Sequence, residues 1–138
     1  MEYKFTFENK EYELREDNLD YFANDENYEL EGIDEIKVLE LLNNSKEVEF
    51  QNAYYETCCE ECKSGKEEKK KVFDFLEYYF YVYGKNNQFI KSSIDEEYEG
   101  KSFTRLKQQR IVDKSYILTV IVCKNCGTYA IELEELEV

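Results

Sequence analysis

The sequence predicts an α+β protein: an antiparallel sheet with hairpins and one or two main helices, stapled by a four-cysteine metal site. Three observations predict it. Segments that alternate apolar and polar residues bracket the chain at both ends. Segments between them carry apolar residues near helical spacing, and two C-x-x-C pairs stand at Cys59, Cys62 and Cys123, Cys126. With 138 residues, 42% of them hydrophobic, the chain has the usual size of a single domain spanning 1–138. Its aromatic content is 13 Tyr and 9 Phe with no Trp, so much of the core carries phenolic hydroxyls that need partners or a wet edge. That favours two thin layers over a thick core.

In chain order, Tyr3-Lys4-Phe5-Thr6-Phe7-Glu8 alternates apolar and polar residues, and Tyr12 and Leu14 resume the alternation after Asn9-Lys10, which predicts a β-hairpin. Residues 15–31 are acidic and polar, with Leu19, Tyr21 and Phe22 as the one apolar cluster; one helical turn is expected after a cap at Asp17 or Asn18. Ile33, Ile36, Val38, Leu39, Leu41 and Leu42 recur near helical spacing until Asn43-Asn44-Ser45 breaks the run, predicting a short amphipathic helix. Val48 and Phe50 alternate with polar neighbours towards Tyr54-Tyr55, as in a strand that would deliver the first cysteine pair.

Ser64 and Glu67 match a capping box, Val72, Leu76, Tyr79 and Tyr83 form a stripe, and Gly84 can close a helix, so a helix is expected over residues 65–83. The strand propensity of Tyr78-Tyr79-Phe80-Tyr81-Val82-Tyr83 competes with that reading. Gln88-Phe89-Ile90-Lys91 reads as a short strand, residues 95–100 as an acidic turn, and residues 103–109 as a helix. Tyr116, Leu118, Val120 and Val122 share one face of a strand and Ile117 and Ile121 the other, so this strand is central. Residues 128–133 alternate again and complete a hairpin around the second cysteine pair. The chain has no proline, no low-complexity linker and no repeat beyond the two C-x-x-C pairs.

A structural zinc ion takes four tetrahedral ligands at about 2.3 Å from sulfur, and two ligands separated by two residues sit on one tight turn. Cys59-Glu60-Glu61-Cys62 and Cys123-Lys124-Asn125-Cys126 supply two such turns, 60 residues apart. Gly127 lets the second turn aim its amides at sulfur; the first has Lys63-Ser64 there and Gly65 two residues late. These residues, above all Val122-Cys123-Lys124-Asn125-Cys126-Gly127-Thr128-Tyr129, resemble the knuckles of the zinc-ribbon and rubredoxin-like families over about twenty residues. The resemblance implies a site built from residues 57–65 and 122–129 with Cys59, Cys62, Cys123 and Cys126 as ligands. The long separation departs from a compact ribbon. The whole chain, rich in Lys, Asn, Glu and Tyr, also resembles uncharacterised small bacterial proteins.

Structural zinc is the leading reading. Rubredoxin-like iron would use the same four thiolates, redox-active dithiols would use each pair alone, and four unconnected buried thiols are the plainest alternative. Lys63 and Lys124 are placed to offset the negative charge of a tetrathiolate centre. Glu60 and Glu61 read as solvated turn residues. Cys58, whose side chain points away from that of Cys59 in an extended chain, reads as a packed thiol, with an exchanging ligand or an oxidisable sensor as alternatives.

The chain has no histidine, which removes the commonest general base near neutral pH and the Ser/His and Cys/His nucleophile pairs. Its five glycines fit neither a dinucleotide fingerprint nor a phosphate loop, and four cysteines would close a zinc site to substrate, so an enzyme is not expected. No run approaches the roughly 18 apolar residues of a membrane span and the N-terminus lacks a secretory pattern, which predicts a cytoplasmic protein. The net charge of -14 argues against nucleic acid and anionic membranes. Lys101, Arg105, Lys107, Arg110 and Lys114 with Phe103 form the one basic, aromatic candidate patch, which reads as a solvated helix face. Residues 1–62 hold 5 basic and 19 acidic side chains and residues 63–127 hold 13 and 9, so the two segments are expected to lie against each other or, alternatively, to offer a basic partner protein an acidic surface. The resulting expectation is a zinc-stabilised, non-enzymatic interaction or accessory module. A redox or metal-responsive protein, or an iron electron carrier, is the alternative.

Overall fold

The structure is a computed structural model that describes residues 1–24, 30–45, 48–59, 61–63, 71–94 and 103–136. It is mostly β. Strands β1 (Glu2–Phe7) and β2 (Lys10–Arg15) form a separate two-stranded hairpin. Its turn residues Glu8 and Asn9 both have positive φ, 49° and 66°, the two-residue turn whose twist matches the strands it joins. The larger sheet has the order β3-β8-β7-β5-β4, built from β3 (Leu19–Ala23), β4 (Gln51–Tyr55), β5 (Phe73–Lys85), β7 (Lys114–Cys123) and β8 (Tyr129–Glu135). The short β6 (Gln88–Ser92) pairs with the end of β5, and β3 runs parallel to β8 while the other pairs are antiparallel. Among the described residues helices are few: α1 (Glu35–Asn44), α2 (Phe103–Gln108) and a single 3-10 turn at Glu16–Asn18. No helix among the described residues is long and apolar enough to cross a membrane.

Two expectations are corrected. The stretch read as the end of a helix over 65–83 is the strand β5, and the capping box at Ser64 and Glu67 lies outside the described residues. Two-residue periodicity explains the outcome. Leu76, Phe80 and Val82 bury on one face, whereas Tyr79, which the helical stripe would bury, is 53% exposed on the other. A ten-residue register with β7 on one side and pairing with β4 on the other then satisfy the backbone of this aromatic-rich segment. Gly84 closes no helix. It lies in β5, where an added Cβ would stand 2.7 Å from Leu30 Cδ1, so it marks a close approach of chain segments. The second correction concerns residues 15–31, where the helical turn is the brief 3-10 element and Leu19–Ala23 forms an edge strand.

α1 starts where Asp34 accepts a 2.8 Å hydrogen bond from the Lys37 amide. Val38, Leu39, Leu41 and Leu42 bury its inner stripe. α1 and the β1–β2 hairpin cover one face of the large sheet, giving two layers. The core between them gathers Leu14 and Val38 with Leu76, Leu118, Val120 and Ile131, all fully buried. Phe5 of the hairpin stacks on Phe50 with centroids 4.1 Å apart, and Phe50 meets Tyr78 on β5 at 5.7 Å, so aromatic contacts tie hairpin to sheet. The expected packing of the acidic first segment on the basic middle is therefore mainly apolar. Among the described residues one ion pair, Lys124 to Glu8 at 3.3 Å, joins them.

The sheet order also sets the site. β4 and β7 flank β5 and both run antiparallel to it, so they run parallel to each other and end at the same edge of the sheet. Their ends are two strand spacings apart, about 9–10 Å. Turns of a few residues beyond each strand suffice to close that gap.

Candidate metal centre

Both C-x-x-C pairs lie in connections between antiparallel strands, the first between β4 and β5, the second between β7 and β8. The turns are built alike. The Lys63 amide donates to the Cys59 carbonyl at 2.8 Å, and the Gly127 amide donates to the Cys123 carbonyl at 2.9 Å. Each turn ends on a residue of positive φ, Lys63 at 50° and Gly127 at 81°. Lys63 thus takes the backbone position that glycine holds in the second turn, and Gly65 is not needed for it. The amides of Glu61 and Cys62 point at the Cys59 sulfur, and those of Asn125 and Cys126 at the Cys123 sulfur. Such N–H groups stabilise thiolate charge.

The four predicted ligands come together. The Sγ atoms of Cys59, Cys62, Cys123 and Cys126 all lie within 4.8 Å of one another. The Cys59 and Cys126 sulfurs are 3.7 Å apart and those of Cys62 and Cys123 3.6 Å, both contacts crossing between the turns. A tetrahedron with metal–sulfur bonds of about 2.3 Å has edges of about 3.8 Å, so the arrangement fits one ion, whereas a disulfide needs about 2.05 Å. Cys59 and Cys123 are buried, Cys62 is partly buried and Cys126 is exposed. Burial pushes the Cys59 and Cys123 thiols up despite the amides that favour their ionised forms. A divalent cation would supply the charge that lets these sulfurs ionise.

The surroundings brace the second turn in ways the sequence did not announce. Lys10 Nζ donates to the Lys124 and Asn125 carbonyls at 3.0 Å each, and the Tyr12 hydroxyl donates to the Lys124 carbonyl at 3.0 Å. These residues stand more than 110 positions away in the chain, so no local pattern signals them. Asn125 Nδ2 lies 3.5 Å from the Cys62 sulfur, a contact from the second turn to the first. The Lys124 ammonium reaches Asn52 at 2.9 Å and Glu8 at 3.3 Å, over the Phe7 ring, so it fastens strands while its carbonyl accepts the Lys10 and Tyr12 hydrogen bonds.

Glu61 is exposed, as expected of a turn residue, and Glu60 lies outside the described residues. Cys58 is a half-buried free thiol outside the four-sulfur group. Of the basic patch, Arg105, Lys107 and Arg110 are exposed at α2, Lys114 pairs with Glu135 at 3.7 Å, and Lys101 and the Phe103 side chain lie outside the description.

Comparison with curated proteins and with solved structures finds no match. A family model described as protein of unknown function (DUF3785) matches residues 3–138, nearly the full length of the sequence, and the chain belongs to that family.

Proposed function

We propose that this protein is a non-enzymatic interaction module whose fold is closed by one structural Zn²⁺ on Cys59, Cys62, Cys123 and Cys126. The observation that carries the reading is the four-sulfur cluster, formed by two like turns with amides aimed at sulfur. Four thiolates saturate a tetrahedral ion and leave no open position for substrate, which suits a structural role. The hairpin placement of both turns adds to the likeness with zinc ribbons. The absence of histidine and the net charge of -14 favour a protein partner with basic character over catalysis or nucleic acid.

Rubredoxin-like iron is the second reading. It is favoured by the left-handed Lys63, which makes the two turns equivalent, and by the exposure of Cys126, which brings one ligand to the surface. Elemental analysis of reduced protein separates the readings: one zinc per chain is expected. Equimolar iron with visible colour establishes the second reading, and metal-free protein of ordinary stability refutes both. The interaction reading is tested by capture from native cytosol. A basic partner should be retained at low salt and released at high salt, because charge attraction is screened over about 10 Å at 0.1 M.

A further inference from the structure

The face of the sheet opposite the main core carries a cavity of about 360 Å³ beside the first cysteine turn. Phe75, Ile121 and Ala130 line it from β5, β7 and β8, at positions that alternate with the core residues Leu76, Val122 and Ile131. Tyr21 of β3 and Tyr55 of β4 bring aromatic surface from the two edges of the sheet, and the chain from Glu56 to Cys59 lines another side. The Tyr21 hydroxyl donates to Glu132 Oε1 at 2.7 Å and the Tyr55 hydroxyl to Glu77 Oε2 at 2.6 Å, so both rings are held in place.

The charged groups that line this cavity among the described residues have one sign. Asp20, Glu56 and Glu132 line it, and no Lys or Arg does so among the described residues. Among the described residues none of these three carboxylates forms an ion pair. Aromatic faces attract cations through the ring quadrupole, and carboxylates accept charge-assisted hydrogen bonds from them. An apolar floor with aromatic sides and an acidic lining suits a cation carried on an aliphatic stem, which is the shape of an arginine or lysine side chain.

We infer that this cavity receives a basic side chain of the partner protein, its stem over Phe75 and Ile121 and its cationic head among Asp20, Glu56 and Glu132. The inference rests on the interaction reading above and names the place on the molecule where that reading acts. The test uses full-length, metal-replete protein and short capped peptides with one central arginine or lysine, against the same peptide carrying norleucine or glutamate. Backbone amide NMR shifts are followed during titration. The expected result is a saturable change centred on Tyr21, Tyr55 and Ile121 with the basic peptides alone, weakened about tenfold by Glu132→Gln or Glu56→Gln, as expected for loss of a charge-assisted contact. Metal content and melting temperature of each variant establish that it is folded. Equal response to the norleucine peptide, shifts centred elsewhere, or unchanged affinity in folded variants would overturn the inference. If cytosolic capture succeeds and survives both substitutions, the cavity assignment fails while the interaction reading stands.

Discussion

If the four cysteines hold a metal ion as proposed, removing it should cost the fold roughly 4 kcal/mol, and the figure follows from where the proposed ligands sit. An ion shared by the two turns links Cys62 to Cys123, 61 positions apart. Closing a loop of that length removes about 14 cal/mol/K of chain entropy from the unfolded state, or roughly 4 kcal/mol at 25 °C. Mass action gives the same scale, since a ligand bound only by the folded chain and present at a thousand times its dissociation constant stabilises by about 4.1 kcal/mol. For a chain of this length each kcal/mol shifts the midpoint by about 3–5 °C, so the melting temperature should fall by about 12–20 °C. The assay is a thermal melt under reducing conditions before and after chelation, with metal content measured on each sample. Cys59→Ser and Cys126→Ser should melt near the chelated wild type and be indifferent to chelator. Cys58→Ser should lose less than about 1 kcal/mol, because its thiol is outside the cluster. Metal-free wild type that melts within a few degrees of the replete protein, or an equal loss at Cys58, would refute the reasoning.

Tyr129 is buried and its hydroxyl has no hydrogen-bond partner among the described residues, so Tyr129→Phe should leave stability unchanged or raise it by up to about 1 kcal/mol in denaturant melts at neutral pH. Burial pushes its pKa up to about 12. A raised folded-state value means that the contribution is fully present below the unfolded value near 10 and is lost as pH rises towards about 12. Wild type should therefore lose more stability over that window than Tyr129→Phe, measured by the same melts. Gly84→Ala should destabilise by about 1–3 kcal/mol, since the new methyl would meet buried Leu30 at 2.7 Å and the Gln88 carbonyl at 3.1 Å. In a Leu30→Ala background the penalty should shrink by more than about 0.5 kcal/mol, and an identical penalty in both backgrounds would show that Leu30 is not the obstacle.

The sequence is legible where one local period controls the outcome. The first hairpin, α1 and the β7–β8 pair follow from alternation or helical spacing because each buries one face against a single core, whereas Val48 and Phe50, whose alternation predicts a strand, precede β4. β5 was ambiguous for a physical reason: Leu76 and Phe80 are four apart and satisfy both periods, so tertiary pairing decided. A turn signal favouring the strand stood nearby. Asn86 and Asn87 take φ of 53° and 63° between Lys85 and Gln88, the same kind of two-residue turn that joins β1 and β2. β3 carries weaker local information, because its partner β8 lies more than a hundred positions on and an edge strand with acidic neighbours shows no clean alternation. The cysteines were legible because two close spacings suffice to suggest four ligands, and the structure gathers all four. Their bracing by Lys10 and Tyr12 was not, since it exists only after the hairpin has docked.

The proposed metal centre and the cavity share a piece of chain. Residues Glu56 to Cys59 leave β4, line the cavity and end at a proposed metal ligand. On the proposed reading the ion fixes one end of this segment while β4 fixes the other, so it positions Glu56 before a partner arrives and spares the ordering cost of binding. A tetrathiolate ion, with a net charge of about -2, would also add to the attraction that the cavity carboxylates would exert on a cation. Two sites that share a wall and a field are thermodynamically coupled, and the coupling is reciprocal: whatever factor the metal adds to the affinity for a basic side chain, the bound side chain adds to the retention of the metal. A structural ion in this position would therefore serve recognition as well as stability. Its loss would weaken the partner contact even in molecules that remain folded.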